Sequence, residues 1–380
     1  MITVTKATPH STADLRLINR NRVYRYLYSA NVPVTKQDLA QTLSMSLPTL
    51  TQNLSELLAM GLIDNSEIAD STGGRKPRII SVVPEARTAV GVEISTGHIR
   101  LVALDLQVRE LGFKVVRRPF QADDAYALGL AGTIESFIDE VGLNRENFLG
   151  VGVTIPGIVD GGQEVITTAP TLGVNTLDAK GLVRHIPYPV HLVNDANAGG
   201  FAEWWDRTGV DHMAYLSLSR GVGGAILING VAYLGVNARS GEFGHMCIHP
   251  GGAQCSCGRR GCLEAYCSTA RLSDDLGISL EQFFAGLAQG NADYARLWDA
   301  YLDDLAIGVG NIHTTLDCGI VLGGKLSQFL TGHFAAIDNR LRNLDPNYHE
   351  APYLSICRYH DRSNGIGAAL YFVDRFIKQI

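Results

Sequence analysis

A winged helix-turn-helix over residues 1–84, followed by a two-lobed α/β domain over residues 85–380, is the α/β architecture that this sequence predicts. Three observations predict it. Apolar residues recur at helical spacing up to about residue 60. A basic, glycine-hinged loop, Gly73-Gly74-Arg75-Lys76-Pro77-Arg78, then lies between two short β-runs. After Pro84 the pattern changes to glycine-punctuated β-runs that alternate with helices, which is how an α/β sheet domain is written.

The first element, from Asp14 to Ser29, carries Leu15, Ile18, Val23, Tyr26 and Leu27 at roughly helical spacing. The polar residues 1–12 before it read as a disordered or extended arm. Thr35 caps a short helix through Thr42, with Asp38 in the capping-box position. Ser44-Met45-Ser46 is a turn, and Pro48 is comfortable in the first turn of the next helix, which Gly61 ends. Ile63 and Arg78–Val83 are the two strands around the basic loop. Beyond Pro84, TAVGVEIS, IRLVALDL and FKVVRRP are strands, Ala127–Val141 a helix, and FLGVGVTIPG a further strand. Strand HLVN, a helix over Ala196–Trp205, the hairpin MAYLSLSRGVGGAILING, a helix around Leu302–Thr315 and strand GIVLGG complete the pattern. No short tandem repeat is visible. Nearly 300 residues in this second part suit two lobes with a cleft between them.

Bulk properties exclude several classes. The chain is 46% hydrophobic and 18% charged, the composition of an ordinary globular protein. No stretch approaches the roughly 20 apolar residues of a membrane span, and the N-terminus lacks a signal peptide's apolar core. A cytoplasmic location is therefore expected, where seven cysteines serve metal or core roles better than disulfides. Charge is uneven: residues 1–85 carry nine Lys+Arg against seven Asp+Glu, whereas the remainder is net −8. A mildly basic head on an acidic body suits a nucleic-acid module on a sensor.

In the head, Leu39 and Leu43 lie on one face of the first short helix. Leu50, Leu54, Leu57 and Leu58 form the buried stripe of the second. The opposite face is read as Thr49, Gln52, Asn53 and Glu56. Short hydroxyl and amide side chains there can donate to and accept from base edges in a major groove, and Ser46 and Thr49 are placed for phosphates at the helix N-terminus. Arg75, Lys76 and Arg78 at the loop would reach backbone phosphates or a minor groove. The expected DNA-contacting set is Ser46, Thr49, Gln52, Asn53, Arg75, Lys76 and Arg78. The competing reading is a solvated turn on a helical protein-interaction unit.

Cys255-Ser256-Cys257-Gly258-Arg259-Arg260-Gly261-Cys262 places three thiols within eight residues, with glycines that let the loop fold back. Such a loop can bind one tetrahedral Zn²⁺, with His245 as the fourth ligand. The donor set looks closed, so the expected role is structural. The bland alternative is a group of reduced surface thiols. Cys247, Cys267, Cys318 and Cys357 lack such spacing.

VNDANAGGFAE (193–203), SGEFGH (240–245) and CSCGRRGCLEA (255–265) resemble the ROK family of sugar kinases and transcriptional repressors. The repressor branch adds a winged helix-turn-helix whose wing is similar to STGGRKP here. The resemblance spans about residues 14–373. It implies an actin-like, ribonuclease-H-like two-lobed fold and a sugar-binding set of Gly157, Asn194, Asp195, Glu242, His245 and Glu264. Asp195 falls at the family's general-base position, and His245 would serve both zinc and sugar. Carboxylates and amides in pairs suit a ligand that presents many hydroxyls.

The departures from the kinases decide the expected activity. Their Asp-x-Gly-Gly-Thr phosphate loop reads Glu93-Ile94-Ser95-Thr96-Gly97 here, their Gly-Thr-Gly reads Ser219-Arg220-Gly221, and Lys325 stands where a third glycine is usual. Phosphoryl transfer depends on positioning and charge stabilisation, so ATP binding and catalysis are expected to be lost, with Asp195 vestigial. Thr171 replaces a usual Asn, which leaves the choice of sugar open.

The resulting expectation is a transcription regulator, a repressor of carbohydrate-use genes. It would act as a homodimer or tetramer on a palindromic operator and be released by a monosaccharide or sugar phosphate. The alternatives are an active ATP-dependent sugar kinase with an attached DNA-binding domain, and a scaffold for a partner protein.

Overall fold

The computed structural model describes residues 12–30, 32–67, 77–159, 165–207 and 209–380. The head comprises α1 (Thr12–Ser29), β1 (Val34–Thr35), α2 (Lys36–Thr42), α3 (Leu47–Ala59), β2 (Ile63–Asp64) and β3 (Ile79–Val82). Local chemistry sets its boundaries. The Thr35 hydroxyl accepts from the Asp38 N–H while the Asp38 carboxylate accepts from the Thr35 N–H, a complete capping box. The Ser46 hydroxyl caps α3 by accepting from the Thr49 N–H, without a reciprocal bond, and Gly61, at φ +67°, ends it in the left-handed region. Strand β3 pairs antiparallel with both β1 and β2. Thr12 begins α1, whereas the rest of the expected arm, and the loop tip with Arg75 and Lys76, lie outside the described residues.

The first lobe follows: β4 (Thr88–Ile94), β5 (His98–Asp105), β6 (Glu110–Arg117), α4 (Asp124–Val141), β7 (Phe148–Ile155), β8 (Ile158–Val159), β9 (Val165–Ala169), β10 (Val174–Asp178), α5 (Ala179–Val183) and β11 (Val190–Asn194). Its main sheet has the order β6-β5-β4-β7-β11, with β4–β5 and β5–β6 antiparallel and the other pairings parallel. Strands β8, β9 and β10 form a small sheet beside it.

Helix α6 (Asp195–Trp205) leads into the second lobe: β12 (His212–Leu218), β13 (Val222–Ile228), β14 (Val231–Ala232), α7 (Glu264–Cys267), α8 (Leu280–Ala288), α9 (Ala292–Leu316), β15 (Gly319–Gly323), α10 (Ser327–Leu330), α11 (Phe334–Leu344) and β16 (Leu354–Ile356). Its sheet order, β14-β13-β12-β15-β16, repeats the antiparallel–antiparallel–parallel–parallel scheme of the first. One topology is used twice, with no residue periodicity to mark it.

Helix α12 (Ser363–Gln379) returns to the first lobe and packs on α6, β4 and β7. Contact is close enough to need glycine. A Cβ on Gly91 would stand 1.8 Å from the Gly365 carbonyl oxygen, and one on Gly367 would stand 1.8 Å from that of Ala198. The head is not hung on a bare linker. Val23, Tyr24 and Leu27 of α1 share one apolar core with Leu370, Val373 and Ile377 of α12. Asn21 Nδ2 donates to the Ile377 carbonyl at 2.6 Å, and Tyr28 Oη donates to the Leu106 carbonyl at 2.7 Å. The Tyr28 ring meets Trp205, at the end of α6, edge-on at 6.4 Å. Among the described residues no helix is long and apolar enough to cross a membrane.

Candidate functional site

A cleft of about 1270 Å³ opens between the lobes. Gly157, Asn194, Asp195, Glu242, His245 and Glu264 all line it, so the fold brings together six residues spread over more than a hundred positions. Asn194 ends β11 and caps α6: its Oδ1 accepts from the Asn197 N–H, and its Nδ2 donates to the Gly157 carbonyl at 2.9 Å. Asp195 follows in the first turn of α6, where its carboxylate accepts from the Ala196 N–H at 2.9 Å. Burial pushes Asp195 up to about 6, with the Glu242 carboxylate adding to the shift. Burial also raises Glu242.

Glu264 is fixed from two sides. Its Oε2 accepts from the Val222 N–H at 3.0 Å, and its Oε1 accepts from the Ser256 hydroxyl at 2.7 Å. Ser256 belongs to the cysteine loop, which thereby holds a cleft carboxylate in place.

The thiols of Cys255, Cys257 and Cys262 and a ring nitrogen of His245 all lie within 4.8 Å of one another. Cys257 and Cys262 Sγ are 3.8 Å apart, and Cys255 Sγ is 3.7 Å from His245 Nδ1. A tetrahedral zinc with bonds to sulfur of about 2.3 Å has edges of about 3.8 Å, so the donor spacing fits such an ion. His245 Nε2 faces the other way, 3.9 Å from Glu242. One ring thus touches the cluster and borders the cleft.

The far end of the cleft is lined by side chains that bond within the protein. Glu93 and Arg100 are cross-strand partners in the β4–β5 register and form an ion pair at 2.9 Å. The Ser95 hydroxyl donates to the His98 carbonyl, and the Thr96 hydroxyl donates to the Thr171 carbonyl at 3.0 Å. Both side chains that replace glycine are therefore engaged with backbone. Arg220 pairs with Asp274 at 2.9 Å. The Lys325 N–H donates to the Ser219 hydroxyl, which ties the second and third loops together.

Burial pushes Glu93 up to about 7, against the lowering effect of Arg100; Asp195 and Asp361 add to the rise. The folded state therefore holds protons at Glu93 that the unfolded chain has released, so this group's contribution to stability falls as pH rises from about 4.5 through 7. Glu93→Gln is expected to raise the unfolding free energy at pH 8 by about 1–3 kcal/mol and to lose that advantage at pH 5. Thermal unfolding at the two pH values checks this; equal shifts at both would contradict it.

In the head, Gln52 is exposed, Thr49 half-buried, and Ser46 exposed but committed to the cap, where it meets the Thr49 hydroxyl at 2.9 Å. Asn53 must be corrected. It is only 4% exposed, and its Nδ2 donates to the Thr49 carbonyl at 2.8 Å, so it faces the core and not a groove. Its place at i+3 from Leu50 and i−4 from Leu57 is the signal that assigns it there. Glu56 is drawn off by Arg20 at 2.9 Å. The outward face is instead Pro48, Thr51, Gln52 and Ser55. Arg78 is exposed beside β3, next to the undescribed loop tip.

Comparison with known proteins supplies the remaining findings. The model of the ROK family matches residues 89–375. A Bacillus subtilis protein named xylose repressor is 28% identical over 303 residues, covering 79% of this chain and 76% of its own. The Escherichia coli K12 protein named DNA-binding transcriptional dual regulator NagC is 27% identical over 273 residues, covering 70% and 66%. Among solved structures, a ROK family transcriptional regulator described as a homolog of the E. coli MLC protein covers 96% of this chain and 97% of its own at a TM-score of 0.76 and 21% identity. A ROK hexokinase from Thermus thermophilus covers 76% of this chain and 99% of its own at 0.64 and 27%. The regulator's fold extends over nearly the whole chain, whereas the kinase leaves about a quarter of it unmatched.

Proposed function

This chain belongs to the ROK family, and from that membership we propose that it is a sugar-responsive, DNA-binding transcription repressor without kinase activity. The division falls at residues 84/85, between a winged helix-turn-helix and a ligand-sensing domain. Relatives named xylose repressor and NagC support the reading. One structural observation carries it: α6 and α12 both begin in the cleft and both end on α1 of the head. Asn194 and Asp195 open α6, and Trp205 closes it against Tyr28. Asp361 and Asn364 border the cleft at the start of α12, and Ile377 near its end accepts from Asn21. A sugar that binds the two lobe arrangements unequally would shift these helices and, through α1, the head.

Asn194, Asp195, Glu242, His245 and Glu264 supply the acceptors and donors for sugar hydroxyls, and Gly157 borders them. Zinc, held by His245, Cys255, Cys257 and Cys262, has a structural role: it fixes the loop that positions Glu264. Engaged loop side chains and the Glu93–Arg100 pair argue against an ATP site, and Asp195 then serves binding alone. The partners are a palindromic operator read by a dimer or higher symmetric assembly, and a monosaccharide or sugar phosphate.

The deciding experiment combines thermal unfolding with operator binding across a panel of sugars, their phosphates and ATP. One sugar raising the midpoint and releasing DNA, with no response to ATP and no ATP turnover, is the expected result. Sugar-dependent ATP hydrolysis would overturn it in favour of the kinase. In the same assay Asp195→Asn is expected to lower sugar affinity at pH 7.5 by about ten- to a hundredfold, since a charged acceptor is lost.

Gln52, Thr49 and Ser46 contact bases and phosphates, and Arg75, Lys76 and Arg78 contact phosphates. Gln52→Ala is expected to relax base preference at about 1–3 kcal/mol per half-site. Arg75→Ala should instead weaken all DNA alike and reduce the salt slope by about 0.9 per lost phosphate contact. An unchanged slope would remove Arg75 from the interface.

A further inference from the structure

A second cavity, of about 360 Å³, adjoins the cleft. Ile158, Asn194, Gly224 and Glu242 line both spaces, so these four residues form the partition between them. Its walls are mainly apolar, with Ala198 and Phe201 of α6, Tyr371 of α12, Val159 of β8, and Val231 and Leu234 from β14 and the loop after it, and carry His191, Asn197 and Ser240 as polar groups. Val231 and Leu234 are 65% and 39% exposed, an arrangement that leaves apolar surface uncovered at the rim of a ready-made hollow. The charged residues at its far end, Lys378 and Asp374, pair with each other at 2.6 Å, so they present balanced charge to an occupant.

We propose that this cavity takes the uncharged, apolar aglycone of a glycoside whose sugar ring lies in the cleft. The proposal rests on the sugar-binding reading above and extends it: the monosaccharide ring in the cleft can carry an apolar substituent that fills the second cavity. The occupant follows from continuity and chemistry. Two spaces sharing Ile158, Asn194, Gly224 and Glu242, one rich in carboxylates and amides and the other mainly aliphatic and aromatic with a few polar groups, match a molecule with one polyhydroxylated and one mainly apolar half. The size fits, since a cavity of about 150 Å³ already accepts benzene. A phosphate or carboxylate would find no uncompensated cation in the described walls. The occupant would also touch both lobes, because Val159 belongs to the first sheet's side and Leu234 to the second's. Binding would therefore report on the lobe arrangement that positions α6 and α12.

The test compares methyl and phenyl glycosides, both anomers, of glucose, xylose and N-acetylglucosamine by titration calorimetry on the metal-loaded full chain. For the sugar that binds, the phenyl glycoside is expected to bind at least about tenfold tighter than the methyl glycoside. Leu234→Asp and Val231→Asp, both at exposed positions, should bring that ratio close to one while leaving the methyl glycoside's affinity unchanged. That retained affinity also shows that the variants are folded. Equal or weaker binding of every phenyl glycoside, with methyl glycosides still bound, overturns the aglycone site and leaves the sugar reading standing. A phenyl preference unaffected by either variant also overturns it. No binding by any free sugar, methyl glycoside or phenyl glycoside overturns both readings together.

Discussion

Cys262→Ser is expected to reduce bound zinc from about one ion per chain to near none and to lower the unfolding free energy by roughly 4 kcal/mol, the stabilisation from a ligand present at about a thousandfold over its Kd. Cys262 and Cys255 are buried in the turn that closes the loop, so a weaker ligand there cannot be replaced by solvent without opening the loop. The loss reaches the cleft as well. Ser256, next to Cys255, holds Glu264 at 2.7 Å, and Glu264 in turn accepts from the Val222 N–H of β13. With the loop released, Glu264 keeps only its β13 contact, and affinity for the cleft ligand should fall along with metal content. Metal analysis by mass spectrometry, paired with thermal unfolding, checks both parts. Full metal content with an unchanged midpoint would remove Cys262 from the ligand set.

Glu203→Ala is expected to destabilise the protein by about 3–5 kcal/mol, close to the whole stability margin of many domains. Glu203 lies on α6 and is fully buried. Its carboxyl accepts from the Arg358 N–H at 2.9 Å, the Tyr359 N–H at 3.1 Å and the Ser363 hydroxyl at 3.2 Å, and Arg207 approaches at 3.6 Å. Alanine would leave the Arg358 and Tyr359 N–H groups, just before α12, without their acceptor, while the Ser363 hydroxyl keeps the His360 carbonyl at 3.0 Å, and would open a cavity between α6 and α12. Because the head leans on the far ends of those two helices, operator binding should become less responsive to ligand even where the variant stays folded. Glu203→Gln keeps one acceptor oxygen and is expected to cost less than half as much. Chemical denaturation of the three proteins gives the comparison; an alanine variant within 1 kcal/mol of wild type would contradict the role given to Glu203.

Much of the head was legible in the sequence because its determinants are local. Thr35 and Asp38 lie three residues apart and form the capping box that their spacing predicts, and Ser46, Pro48 and Gly61 bound α3 as their types require. Asn53 shows the limit of that reading. Its amide suits base recognition, yet its wheel position beside Leu50, Leu54 and Leu57 places it inward. Three cysteines in eight residues likewise pointed to a cluster whose donors, with His245, could hold a metal ion, since ligand spacing on one short turn is a property of the chain itself.

The pairing of Glu93 with Arg100 and the duplicated sheet order were not legible, because each depends on strand register and chain crossing between distant segments. The same holds for the second cavity, whose walls come from strands, helices and loops far apart in the chain, and for Glu203, a solitary glutamate in the sequence that becomes the acceptor for three donors more than 150 residues away. The sequence by itself determined the elements, the caps, the cysteine loop and the motif residues, through interactions that span a few residues. Only the tertiary structure decided how those residues are held around the cleft, which face of α3 is outward, and that α6 and α12 join the cleft to the head. Those outcomes are set by the packing of surfaces far apart in the chain.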